Sequence, residues 1–275
     1  MSRVKIIDLS LPIDDEAFEV HHVAIERVSH RAGVAKFNRV IMGKTLKGRL
    51  RYLLGKRIVH SDELPEGEFL SLETVHAPVH VGTHLDYSFH YGSRSEGRAS
   101  KTADEIPLDE CYHDGVRLDF SHKQPNEAIT AEDIGASLVK IGYTLKAHDI
   151  VLLRTGADTL FGTPRYFSDY PGVDVGAIDY LLDAGVRIFG VDTMGLDRPY
   201  RFMLTEFLKT KDPRAFYPAH FYGRKREFIH IERLANLDKL PDFGFKVICF
   251  PVRIKKTGAA WSRVVALVGE GKENS

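Results

Sequence analysis

The sequence predicts a mixed α/β or α+β fold in a single domain, on three observations. Short buried-strand patterns recur in its second half. Capped helical patterns lie among them. No Pro/Gly/Ser-rich linker, internal repeat or low-complexity tract divides the 275 residues, a length that one large domain can accommodate. Thr130 and Asp133 have the spacing of a capping box. Ile134, Leu138 and Ile141 then mark a helix face, and Gly142 is its stop. Asp149-Ile150-Val151-Leu152-Leu153 is a short apolar run of the kind that forms a buried strand. Pro171-Gly172 predicts a turn. Residues 174–184 predict a helix with Ile178, Leu181 and Leu182 on one side, closed by Gly185. Val186 to Val191, Lys246 to Phe250 and Arg263 to Val268 predict three more strands. Spacing alone leaves the sheet topology open.

The chain carries 38 basic and 38 acidic side chains. Phosphate binding calls for a basic excess, so nucleic acid is not the expected partner. No apolar run approaches the 18 residues of a membrane span. The N-terminus, MSRVKIIDLSLPIDDE, has no long apolar stretch and turns acidic early, unlike a secretory signal. A cytoplasmic location is the expectation, with no membrane partner. The two cysteines, Cys111 and Cys249, are then expected as reduced core thiols without a disulfide.

Residues 44–57, KTLKGRLRYLLGKR, hold six positive charges and no negative one. Leu46, Leu50, Leu53 and Leu54 fall at helical spacing, which predicts a short basic amphipathic helix. A solvated surface helix is the plain reading. A lid over an anionic substrate and a subunit contact are the sharper ones.

Four of the thirteen histidines fall between residues 76 and 90, in HAPVHVGTHLDYSFH. Pro78, Gly82 and the β-branched Val79, Val81 and Thr83 argue against a helix. In an extended chain, even-numbered residues share a face, which collects His80, Gly82, His84, Asp86 and His90. A flat strand would hold the Cα atoms of His80 and His84 about 13 Å apart, too far for easy convergence on one ion. A kink at Gly82 is therefore predicted. Asp86 would complete a set of two histidines and one carboxylate, which suits Zn²⁺, Mn²⁺ or Fe²⁺. His76, beyond Ala77-Pro78, is expected to be structural or to support the ligands from behind. His230 shares a predicted strand face with Glu232 and is a further candidate.

His80-Val81-Gly82-Thr83-His84-Leu85-Asp86-Tyr87-Ser88-Phe89-His90 resembles the HxGTHxDxPxH signature of the cyclase family of metal-dependent hydrolases, which includes bacterial kynurenine formamidase and isatin hydrolase. Asp8-Leu9-Ser10, Val151-Leu152-Leu153-Arg154-Thr155-Gly156 and Gly190-Val191-Asp192-Thr193 resemble other segments of that family. So do His220 and Glu232, followed by Asn236-Leu237-Asp238. Residues 11–72 match poorly and form a lengthened N-terminal region. Ser88 stands where the family has proline.

The resemblance implies a swivelling β/β/α fold in homodimers or larger homo-oligomers. It implies that His80, His84 and Asp86 hold a first divalent metal, zinc or manganese. Asp86 would bridge to a second metal bound by His220 and Glu232, with His90 as general acid/base. An acidic residue at 232, rather than glutamine, fits an arylformamidase-like, two-metal pattern. The implied activity is hydrolysis of a C–N or C–O carbonyl bond in a small molecule such as an aryl formamide, cyclic amide or lactone. G-x-S-x-G is absent, which disfavours a serine nucleophile. A metal-dependent polyketide-type cyclase and a non-catalytic metal- or ligand-binding protein are the alternatives.

Overall fold

A computed structural model of the chain describes residues 4–269. Backbone contacts group the chain into two compact units. The larger runs up to Val20 and resumes at Val79. The smaller is His21–Pro78.

The larger unit is built on nine strands: β1 (Val4–Asp8), β2 (His84–Asp86), β3 (Tyr112–Asp119), β4 (Ile150–Arg154), β5 (Ile188–Val191), β6 (Ile229–Glu232), β7 (Phe243–Ile248), β8 (Ala259–Trp261) and β9 (Val265–Gly269). Their order across the sheet is β1-β9-β7-β3-β4-β5-β6-β2-β8. The central strands β3, β4, β5 and β6 run parallel to one another. The flanking pairs are antiparallel. The sheet is thus the mixed one the sequence left open.

Strands β4 and β5 are near-continuous apolar runs because both faces of the sheet are covered. Ile150, Leu152 and Ile188 enter one buried cluster with Leu85 and Ile231. Val151, Leu153, Phe189 and Val191 enter the other, together with Ile134, Leu138, Ile178 and Leu181. The two-residue period of a strand does this sorting. Helices Ala131–Ile141 and Val175–Asp183 supply those last four side chains.

The first of these helices begins as predicted. Thr130 accepts from the Asp133 N–H, Asp133 accepts from the Thr130 N–H, and Gly142 closes the helix in the left-handed region. The second starts on Asp174, whose carboxylate accepts from the Ala177 N–H at 2.7 Å. Strands β7 and β9 fall within a few residues of their predicted places. Pro171-Gly172 is not a turn. Gly172–Val173 is extended and pairs in parallel with Ala128–Ile129. Glycine is needed there for close approach, since a Cβ would lie 2.4 Å from the Arg198 nitrogen. Cys111 and Cys249 are buried free thiols facing each other across neighbouring chain segments, with Cys249 N–H donating to Cys111 O at 3.0 Å.

The smaller unit pairs Ala24–Val28 with Leu72–His76 in an antiparallel ribbon. His76 lies on this ribbon, 3.4 Å from Glu26. Helix His30–Gly43 is capped by Ser29. The basic segment forms helix Leu46–Leu53, capped by Thr45. Its Leu46, Leu50, Leu53 and Leu54 are 85%, 59%, 80% and 70% exposed, so the leucine face covers no core. Among the described residues, no helix is long and apolar enough to cross a membrane.

Candidate metal centre

Register builds the centre. Strand β2 lies between β6 and β8, with Glu232 opposite His84 and His230 opposite Asp86. Residues directly opposite in an antiparallel pair share a face. His84, Asp86, His230 and Glu232 therefore project together, while Leu85 and Ile231 point into the core.

His80 reaches the same place because the chain kinks before β2. Gly82 has φ +70°, a conformation that favours glycine. A Cβ there would also lie 2.9 Å from the Ile13 side chain. Gly82→Ala is expected to cost about 1–3 kcal/mol of stability and to weaken metal uptake, because it shifts His80 relative to His84. Urea unfolding and equilibrium dialysis of the variant measure the two effects. Unchanged values in both would remove the kink from the account.

His90 arrives by a route the sequence reading did not anticipate. The run is not extended throughout. It turns into helix Ser88–Tyr91 after Tyr87. A continued strand would carry the His90 Cα about 13 Å beyond Asp86. The helical turn instead leaves its Nε2 3.7 Å from Asp86 Oδ2 and its ring 4.2 Å from that of His80. Ser88 occupies the first helical position, where proline is equally well accommodated. Its hydroxyl donates to Glu227 at 3.1 Å.

Helix Pro218–Tyr222 delivers His220. Asp197 positions it, accepting from the N–H groups of Ala219 and His220 and from His220 Nδ1 at 2.6 Å. Nothing local in the sequence marks Asp197 for this task. Tyr91 plays a similar part for His230. Its hydroxyl donates to the Asp86 carbonyl at 3.1 Å and takes the Nδ1–H of His230 at 2.8 Å. His84 donates its own Nδ1–H to the Gly82 carbonyl at 2.8 Å.

Three imidazoles thus have Nδ1 engaged by an acceptor, which turns Nε2 toward the centre, where it can hold a proton or a metal. These Nε2 atoms face carboxylates. His84 Nε2 lies 3.5 Å from Asp86 and from Glu232. His230 Nε2 is 2.8 Å from Glu232 and 3.3 Å from Asp86. His220 Nε2 is 3.5 Å from Glu232 and 4.0 Å from Asp86. His80 Nδ1 is 3.1 Å from Asp86. Both Asp86 oxygens and His84 Nε2 are buried without a hydrogen-bond partner. Buried acceptors crowded together repel unless a cation lies among them. The donor set fits a divalent metal.

The ligand atoms fall into two groups, each within 4.8 Å: His80, His84 and Asp86, and Asp86, His220, His230 and Glu232. Asp86 belongs to both. The six residues that the sequence and the resemblance name converge, and the further candidate His230 stands with them. Its placement opposite Asp86 is a matter of register, which the sequence does not display.

The electrostatics agree. Burial alone would lower the His84 imidazole, but the Asp86 and Glu232 carboxylates push it up to about 9. Burial would raise Asp86, yet the imidazoles of His90 and His84 hold it well below the usual carboxylate range. The centre therefore draws positive charge. His90 behaves differently: burial, reinforced by His80 and His220, holds it down to about 4 against the pull of Asp86.

Two other segments of the resemblance meet each other. Asp192 accepts from the Thr155 N–H and hydroxyl and from the Gly156 N–H. It ties the end of β4 to β5. Arg154 pairs with Asp119, and Arg198 with Glu206, so both are engaged in ion pairs.

The model of the cyclase family matches residues 7–198, more than half of the chain. The chain belongs to the cyclase family. This cyclase-family chain is 25% identical over 213 residues to isatin hydrolase from Roseibium aggregatum, covering 74% of this chain and 77% of the relative. An isatin hydrolase structure with the product analogue thioisatinate superposes with TM-score 0.71 at 21% identity, over 97% of this chain and 93% of that one. Isatin hydrolase A from Labrenzia aggregata, bound to benzyl benzoate, gives TM-score 0.69 at 22% identity, over 97% and 94%. A structure described as a potential metal-dependent hydrolase with cyclase activity gives 0.57 at 20%, over 98% and 100%. At these identities the structures establish a shared cyclase-family fold.

Proposed function

We propose that this protein is a metal-dependent hydrolase that opens a C–N or C–O carbonyl bond in a small cyclic amide, aryl formamide or lactone. The carrying observation is the convergence of buried imidazoles and carboxylates on Asp86, where both Asp86 oxygens and His84 Nε2 have no hydrogen-bond partner. Kinship with isatin hydrolase supports the reaction class and makes a cyclic amide the first substrate to test.

His80, His84 and Asp86 would hold one divalent cation, and Asp86, His220, His230 and Glu232 a second. Nitrogen and oxygen donors in these numbers suit zinc or manganese. Bound there, such a cation supplies Lewis acidity and a water that ionises near neutral pH. His90 belongs to neither ligand group and is 31% exposed. It would take a proton from the attacking water and return it to the leaving nitrogen or oxygen. Asp197, Tyr91 and the Gly82 carbonyl keep the ligand imidazoles in one tautomer and orientation.

His90→Ala is expected to keep its metal content and lose about 10²- to 10⁴-fold in turnover. Elemental analysis and assays on isatin-like lactams, N-formyl aryl amides and lactones test this together. Metal-loaded wild type inert toward all three classes would overturn hydrolysis. A fully active His90→Ala would overturn only the role given to His90.

A further inference from the structure

We propose that Glu110, His113 and His148 form a second, partly exposed binding site for a transition-metal cation such as Zn²⁺, separate from the centre at Asp86. One ligand atom from each of the three side chains lies within 4.8 Å of the others. Three distinct elements supply them. Glu110 comes from the helical turn Leu108–Cys111, His113 from β3, and His148 from the turn that precedes β4.

The side chains are arranged on one another. His148 Nδ1 lies 2.8 Å from Glu110 Oε2. The rings of His113 and His148 stack with centroids 5.2 Å apart and planes 25° apart. His148 has φ +68°, a left-handed conformation uncommon for a residue with a Cβ. Its N–H donates to the Gly185 carbonyl at 2.9 Å, which holds the backbone in that state. A solvated histidine has no need of such a constraint. Here the constrained turn sets the imidazole against His113.

Two imidazoles and one carboxylate select the cation class. Calcium and magnesium prefer all-oxygen surroundings, whereas imidazole suits zinc, copper and nickel. With His148 48% exposed, water can fill the remaining positions. The site is not an extension of the first centre. Strands β4, β5 and β6 separate β3 from β2, about 19 Å at the usual interstrand spacing. A cation there would bind the turn at Glu110 and the turn at His148 to β3.

The probe is Zn²⁺ alone, presented by equilibrium dialysis to full-length protein already loaded at the Asp86 centre. Wild type is expected to take up one more ion per chain than His113→Gln/His148→Asn. Turnover should be the same in both. Glu110→Gln removes one ligand and should weaken that uptake by at least about tenfold. Zn²⁺ should also raise the melting temperature of wild type and not of the double variant. Equal uptake by wild type and the double variant overturns the site and leaves only a hydrogen-bonded surface pair. If the double variant does not fold, Glu110→Gln alone decides, since unaltered affinity there overturns it too.

Discussion

Asp86→Ala is expected to empty both halves of the metal centre and to lower turnover by about 10³-fold or more. Asp86 is the residue common to the two ligand groups. Without it the His80–His84 group has no carboxylate of its own, and His220, His230 and Glu232 lose the oxygen that joins them to the other pair. Both oxygens are buried and make no hydrogen bond, and the groups around them are the imidazoles of the centre. Asp86→Asn preserves the shape but replaces one anionic acceptor by an amide that donates toward His90 or His84, and it should bind metal nearly as poorly. Elemental analysis beside circular dichroism separates lost metal from lost fold. A folded Asp86→Ala that retains its full metal content would end the assignment of the centre.

The second large effect concerns stability. Arg233 follows Glu232 directly and is among the largest fully buried side chains. Its Nη1 lies 2.5 Å from Glu19, and the two side chains are 2% and 6% exposed. The guanidinium also lies over the Phe167 ring at 5.6 Å. Truncating one partner of a buried pair strands the other charge in a poorly solvating interior. Glu19→Ala is therefore expected to cost about 3–5 kcal/mol, read as a fall in the urea midpoint at unchanged slope. Replacing both partners together, as in Glu19→Leu with Arg233→Met, should recover most of that loss, because neither charge is then left alone. A Glu19→Ala change below about 1 kcal/mol would show that water reaches the guanidinium and that the pair is effectively exposed. Metal uptake should fall with stability, since the Arg233 carbonyl accepts from Thr83 beside His84.

Local patterns were readable wherever the physics is local. The capping box at Thr130 depends on three consecutive peptide units, and the left-handed stop at Gly142 on one. Both needed no knowledge of neighbours. The same holds for the kink at Gly82, which followed from the reach of an imidazole and the spacing of a strand. Pro171-Gly172 misled because glycine there serves close packing against Arg198, a demand made by a segment far away in the chain. His90 misled for a related reason: nothing within HAPVHVGTHLDYSFH states that the strand ends at Asp86, since its end is set by where β6 and β8 stop pairing with it.

By itself the sequence determined the donor types, the histidine cluster between 80 and 90, the buried strands and the absence of a charge excess. Resemblance added His220 and Glu232. Only the tertiary structure decided that His230 stands opposite Asp86, that Asp197 and Tyr91 orient imidazoles, and that the ligands split into two groups sharing one carboxylate. The reason is register. A single-residue slip of β6 against β2 would send Glu232 and His230 to the opposite face, and that alignment is set by packing across the whole sheet.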